Sequence, residues 1–382
     1  MRLKAAITGL GVVHALGQNL ETFWAGLRDG APLPASGGVL GLTLEHPENW
    51  ISEAWLRRMG KDAQMLVVAA KQAIARAGEG LGSPRPAGMT VSTNLGSFSQ
   101  VYQSVQTILV QGPDRLNPME FPNAVLNAAN GYASIECGLK GYNDTLAGWG
   151  ALGEACDALL LGRVDQVLVG GMEEAAGPQS RMVPGRAVDQ PRPFSPGRQG
   201  LWLGEGAAAL VMESEVSARS RGAGPCAWLT GWGASYDAAG YDRADPAGRD
   251  LSRAIRLAIA QAEIGLGAID GVVGFSDGTE TGDSRAARAL HDVWGGRLAE
   301  MPLFAMGGAL GSLEGAAEAF GAVCAGLILA RGEWPASPWH AADSSLPRLR
   351  VAAGAEPFRG QRVLLALTDR FGANYAYCLE KA

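Results

Sequence analysis

Histidine and cysteine are scarce in this chain of 382 residues, with four of the first and five of the second. The cysteines, at 137, 156, 226, 324 and 378, lie far apart in apolar surroundings and form no CxxC pair. Such spacing supports neither a zinc site nor a disulfide framework, and buried small hydrophobes are the plain reading. The histidines, at 14, 46, 291 and 340, show no ligand spacing, so neither a metal nor a cofactor is expected. No run of eighteen apolar residues occurs, which argues against a membrane-spanning helix. There is no basic excess either. A net charge of −6, with Lys and Arg scattered, argues against a nucleic-acid partner. The first residues lack the long apolar core of a secretion signal, so the cytosol is the expected location.

What is present is a globular composition, 47% hydrophobic and 18% charged. Apolar strand-like runs alternate with helical periodicity along the whole chain, the pattern of an α/β fold with mostly parallel sheets covered by helices. The basic, glycine-containing link 217–225 is the best internal boundary. It divides residues 1–218 from 219–382, two similar halves of one compact unit. Gly9-x-Gly11 invites a dinucleotide reading, but the third glycine position is His14 and no acidic residue follows at the right distance. After Gly171, a loop rich in Gly, Pro and Arg runs to Gly200.

The most telling stretch runs from Gly141 to Gly171. A short polar strand, a small-residue turn and an amphipathic helix precede the apolar strand that begins at Gln166. A strand that enters a helix through small residues makes an elbow, lifting one side chain beside the free N–H groups of the helix end. Enzymes place a nucleophile there, because those donors lower a thiol pKa and hold an oxyanion. This elbow carries Thr145, Gly148, Trp149 and Gly150, with neither cysteine nor serine. A separate elbow-like pattern, Gly274-Phe-Ser276-Asp-Gly278, follows a strand. It offers the alternative of a Ser276-dependent acyl hydrolase or transferase, although neither downstream histidine has a supporting context.

Ile7-Thr-Gly-Leu-Gly-Val-Val13, Gly153-Glu-Ala155 with Gly170-Gly-Met-Glu173, the long segment from Arg192 to Glu213, and Arg370-Phe-Gly-Ala-Asn374 form a set of motifs. Together they resemble the β-ketoacyl synthases of the thiolase fold. The resemblance spans nearly the whole chain and implies two duplicated α/β halves layered αβαβα. It also implies a cysteine nucleophile, two histidines and a lysine. Counting back from Gly153-Glu-Ala155 puts the cysteine position at Thr145; counting forward from Gly141 puts it at Gly150. The first histidine position falls on Asp277, the second on Ser312 and the lysine on Gly307. All four positions are changed, and an isolated threonine hydroxyl is a poor acyl acceptor without a base.

A synthase fold without its catalytic groups resembles the chain-length factor of bacterial type II polyketide systems, the inactive half of a ketosynthase heterodimer. The resemblance implies an active ketosynthase as partner, with acyl carrier protein reaching the complex, and favours polyene over aromatic products. Leu95, Phe98, Val101, Tyr102, Val105, Met119, Glu120 and Phe121 then match the tunnel and interface region. Trp149 is a candidate to fill the vacant acyl pocket. The helical stripe Phe98, Val101, Tyr102, Val105 and Leu109 would otherwise read as core. A homodimeric acyl-binding protein is a further alternative.

Overall fold

Short runs of Val, Leu, Ala and Gly bounded by turn residues form strands, and the longer amphipathic stretches between them form helices. The computed structural model describes residues 3–30, 38–175, 191–238, 244–338, 340–369 and 371–382. Most of the loop expected between 171 and 200, and Arg370 of the C-terminal motif, lie outside the described residues.

One mixed sheet of eleven strands organises the chain. The strands are β1 (Ala5–His14), β2 (Gly88–Thr93), β3 (Asn143–Ala147), β4 (Gln166–Glu173), β5 (Gly206–Ser214), β6 (Ala227–Tyr236), β7 (Gly271–Phe275), β8 (Pro302–Ala305), β9 (Arg350–Val351), β10 (Arg362–Thr368) and β11 (Ala373–Lys381). Their spatial order is β9-β8-β7-β10-β11-β6-β1-β5-β4-β2-β3. The first half reads third, second, fourth, fifth, first. So does the second half once the short edge strand β9 is set aside. Directions repeat as well: in each half the outer pairs are parallel and the inner pairs antiparallel. The expectation of mostly parallel sheets is corrected here. Hydrophobic runs mark a strand as buried on both faces without recording the direction of its neighbours. The first strands of the two halves, β1 and β6, join antiparallel through Ala5–Leu229, Ala6–Trp228 and Ile7–Ala227.

Among the described residues the α-helices longer than four residues are α1 (Leu20–Asp29), α2 (Lys61–Ala77), α3 (Phe98–Gln111), α4 (Ala128–Glu136), α5 (Ala151–Leu160), α6 (Glu215–Ser220), α7 (Arg249–Gln261), α8 (Glu280–Trp294), α9 (Met306–Leu310) and α10 (Ala317–Arg331). Helix α10 is buried from Ala317 to Leu329 and touches strands of both halves, and α5 packs beside it. A helix that meets both halves of one hydrogen-bonded sheet requires the sheet to fold around it. With α2 outside the first half and α7 outside the second, the layers run αβαβα.

The duplication extends to individual glycines. A Cβ on Gly9 or Gly11 of β1 would lie 2.0 or 1.9 Å from the carbonyl oxygens of Ala73 and Ala69 in α2. On Gly231 or Gly233 of β6 it would lie 2.2 or 2.4 Å from those of Ala258 and Ala254 in α7. The Gly9-x-Gly11 pair therefore lets a helix backbone rest on a strand, which accounts for it without a nucleotide. At the link between halves, Arg221 pairs with buried Glu213 and donates to the carbonyls of Ala77 and Glu79. Burial alone would raise the Glu213 pKa, but Arg221, Thr8 and Ser217 hold it below the usual value.

Gly233→Val is expected to cost about 3 kcal/mol or more in urea unfolding, because backbone cannot retreat from the added methyls. Gly224→Ala, where nothing lies within 4 Å, should stay within about 0.5 kcal/mol.

Candidate functional site

The ends of β3, β7 and β11 meet the turns around α9 at the elbow between β3 and α5. Gly148 and Gly150 adopt φ of 95° and 125°, conformations that side chains oppose, and Trp149 stands between them. Its indole is 8% exposed and donates through Nε1 to the Glu314 carbonyl at 2.6 Å. The ring stands edge-on to Phe275 and Tyr375, with centroids 5.9 and 6.3 Å away. Tyr375 stacks on Tyr377, and Tyr377 on Trp232, so an aromatic column runs inward from the elbow.

Behind the indole, the start of α5 is already occupied. The N–H groups of Gly150 and Leu152 donate to Glu318 Oε2 at 3.1 and 3.2 Å, and that of Ala151 to Ser92 Oγ at 3.1 Å. The Tyr377 hydroxyl donates to the other carboxylate oxygen. The Glu318 side chain from α10 thus takes the donors that would hold an oxyanion or thiolate. Burial raises the Glu318 pKa, and its hydrogen bonds oppose that rise.

Thr145 lies within β3, where Asn130 of α4 donates to its Oγ1 at 2.8 Å on the outer-helix side. Gly150 caps α5. The Asp277 carboxylate accepts from the N–H and hydroxyl of Thr279 at 3.0 and 2.6 Å, bracing the N-terminus of α8. Buried Ser312 donates to Glu314 Oε1 at 3.0 Å. At Gly307, Leu201 fills the space a side chain would need, 2.6 Å from a built Cβ, and it lies equally close to Gly278. The segments carrying Gly150, Asp277, Gly307 and Ser312 therefore converge, while Thr145 is engaged on the other face of its strand. Among the described residues no group of three or more His, Cys, Asp or Glu could hold a metal ion.

The relocated chemistries find no support. Cys156 is fully buried in α5, and burial raises its thiol pKa well above the usual value. Ser276 is buried and donates to Asp283. His291 lies exposed on α8, and His340 contacts Ser195 at 3.3 Å.

Sequence reasoning missed Glu318, Glu173 and Glu314. Glu173 accepts from the N–H groups of Asn94, Leu95 and Gly315 at 2.9, 3.0 and 3.1 Å, and burial raises its pKa to about 7. Glu314 holds a left-handed φ of 44° and accepts from Asn94 Nδ2 at 3.0 Å. A lone acid inside the apolar run Gly315–Ala330 was the available signal for Glu318.

Helix α3 lies apart from this elbow and overturns the core reading of its stripe. Val101, Tyr102, Val105, Ile108 and Leu109 are 37 to 79% exposed, whereas Ser104 and Thr107 are half-buried. The helix packs chiefly on the turns 113–115 and 121–124. Phe98, half-buried, stacks on Tyr102; Leu95 is half-buried; Met119, Glu120 and Phe121 are exposed. No charged residue occurs between Phe98 and Gln111.

Two family models match the chain: the N-terminal domain of β-ketoacyl synthases over residues 4–218 and the C-terminal domain over 226–339. Nodulation protein E of Rhizobium leguminosarum bv. trifolii is 29% identical, with 88% of each chain covered. A 3-oxoacyl-[acyl-carrier-protein] synthase 2 of Coxiella burnetii is 27% identical, with 85% of this chain and 86% of the relative covered. Among solved structures, the ishigamide ketosynthase/chain length factor superposes with a TM-score of 0.90 and 28% identity over 100% of both chains. AntDE:AntF, a type II acyl-carrier protein in complex with its ketosynthase, superposes at 0.86 with 19% identity over 100% of both, a likeness of fold.

Glu318→Ala strands two helix amides and a phenol, and a loss of about 3 kcal/mol is expected in urea unfolding. Thr145→Ala should cost no more than about 1 kcal/mol. The raised pKa of Glu173 favours folding most below its unfolded value of 4.5, and that contribution fades as pH rises towards about 7. Asp283, shifted from 3.8 to about 7, acts in the same direction. Glu173→Gln is therefore expected to flatten the decline in stability across this window, measured by unfolding at a series of pH values.

Proposed function

The chain belongs to the β-ketoacyl synthase family, and from that membership we propose that it serves as a non-catalytic chain-length factor, pairing with an active ketosynthase and shaping the tunnel into which a growing polyketide extends. The observation that carries this reading is the filled elbow. Where a ketosynthase needs a thiolate against the start of a helix, this chain sets the Glu318 carboxylate on the amides of Gly150 and Leu152 and closes the space with Trp149. With Asp277, Ser312 and Gly307 at the remaining positions, the groups for decarboxylation and condensation are lacking.

The surface supports a partner. An uncharged helix with its apolar stripe outward and its Ser and Thr inward inverts the usual amphipathic arrangement, which is stable once a second protein covers the stripe. Strand β3 closes the sheet on the same half with Asn143, Asp144 and Ala147 exposed, an edge strand with no further strand paired to it among the described residues. An obligate interface of this kind buries about 1,000 Å² or more per partner. On this reading Leu95, Phe98, Val101, Tyr102, Val105, Met119, Glu120 and Phe121 line the tunnel mouth or the interface, and their volume limits chain length. Acyl carrier protein delivers units to the complex, and the product is of the polyene type. The same proposal divides the chain into halves at 218/219. Among the described residues no helix is long and apolar enough to cross a membrane.

Co-expression with an active ketosynthase is expected to give a 1:1 complex by size exclusion and light scattering, and Val105→Arg should abolish it. Intact-mass analysis of the isolated chain with acyl thioesters should show no adduct. An adduct lost on Ser276→Ala would establish the hydrolase instead, and a stable homodimer indifferent to the ketosynthase would establish self-association. Within the complex, Val101→Trp is expected to shorten the product by one or more extension units, read by mass spectrometry.

A further inference from the structure

No residue of α3 is buried, and its chief contacts are the turns that follow it, so its own packing does little to fix its direction. The turn that precedes it, residues 93–97, is held instead. Glu173 of β4 accepts there from the N–H groups of Asn94 and Leu95, and from the Thr93 hydroxyl at 3.2 Å. The Thr93 oxygen accepts in turn from the N–H of Gly96 at 3.0 Å, where the backbone takes a left-handed φ of 53°. Buried Ser97, the residue before the helix, donates to Asp62 Oδ2 of α2 at 2.6 Å. Glu314 closes the circuit. Its side chain accepts from Asn94 Nδ2 and its carbonyl from the Trp149 indole, while Glu173 also takes the Gly315 N–H. A line of hydrogen bonds therefore runs from the filled elbow to the first turn of α3.

We propose that Glu173 and Glu314 are positioning residues for α3: they fix the turn 93–97 against the elbow and so set the direction in which the helix presents its apolar stripe. The inference rests on the chain-length reading for what that stripe meets. It rests on the hydrogen bonds alone for what aims it. Each oxygen of Glu173 accepts from two donors, Thr93 and Leu95 at one and Asn94 and Gly315 at the other. The side chain cannot rotate without leaving buried donors unpaired. Aim matters because α3 has 14 residues. A helix of that length pivoting by about 10° on its first turn swings its far end by about 4 Å, enough to lift an apolar side chain out of its pocket. The groups that close the elbow thus also hold the surface offered to a partner.

The test is hydrogen exchange of the full chain, read by mass spectrometry on peptides from α3 and from β1 and β5. Asn94→Ala removes the link to Glu314 and keeps both backbone donors; it is expected to speed exchange in α3 about tenfold, with β1 and β5 unchanged. Trp149→Phe keeps a ring and loses the indole N–H, and should speed it about threefold. Glu173→Ala should exceed both, and if it does not fold, Asn94→Ala decides. Gly233→Val weakens the fold from the second half and should leave α3 at its parent rate, which separates positioning from a general loss of stability. Parent rates in α3 for Asn94→Ala and Trp149→Phe would overturn the proposal. With an active ketosynthase, Asn94→Ala is expected to weaken association about tenfold, and equal affinity would also overturn it. Should the parent form no complex, the chain-length reading falls, while exchange in the isolated chain still decides whether Glu173 and Glu314 hold α3.

Discussion

A single buried carboxylate sets the character of this molecule. Glu318 projects from the central helix α10 onto the first amides of α5, so an acid from the second half of the chain satisfies a helix end in the first. A carboxyl group withdrawn from water is tolerable only when hydrogen-bonded, and Glu318 is: two backbone N–H groups, Ser92 and Tyr377 surround it. The arrangement ties together the strands that carry those partners and seats Trp149 against the junction. An end of helix that could serve chemistry serves cohesion.

The acid cluster around it extends that logic. Glu173 binds the turns after β2 and before α10, and the second turn carries Glu314, whose carbonyl receives the Trp149 indole. These turns are pinned by acidic side chains that accept from backbone amides. The left-handed φ of Glu314 persists because its neighbours over-determine it.

Much of this was legible beforehand. Alternating runs marked nearly every strand and helix, and the signature from Arg192 to Glu213 marked the family. Strand direction was not, because a run such as Gln166–Glu173 is buried whichever way its neighbours point. The stripe on α3 was visible, but periodicity fixes a face without saying what covers it, and here the chain itself does not. Thr145 and Gly150 were both counted as the nucleophile position. The structure separates them, since one lies on the outer face of β3 and the other caps α5 beside Glu318. Glu318 itself went unseen because a single acid in an alanine-rich helix looks like a surface residue, and only tertiary packing buries it.

The occupied elbow also bears on how the proposed subunit can change over generations. A cysteine at Gly150 would meet Leu146 and the Tyr375 hydroxyl at 3.1 and 3.2 Å, a positive φ, and the buried Glu318 side chain. Removing Glu318 unpairs several buried donors at once. On the proposed reading, a return to independent catalysis has to disturb several buried contacts at once, so that partnership, once adopted, is hard to reverse.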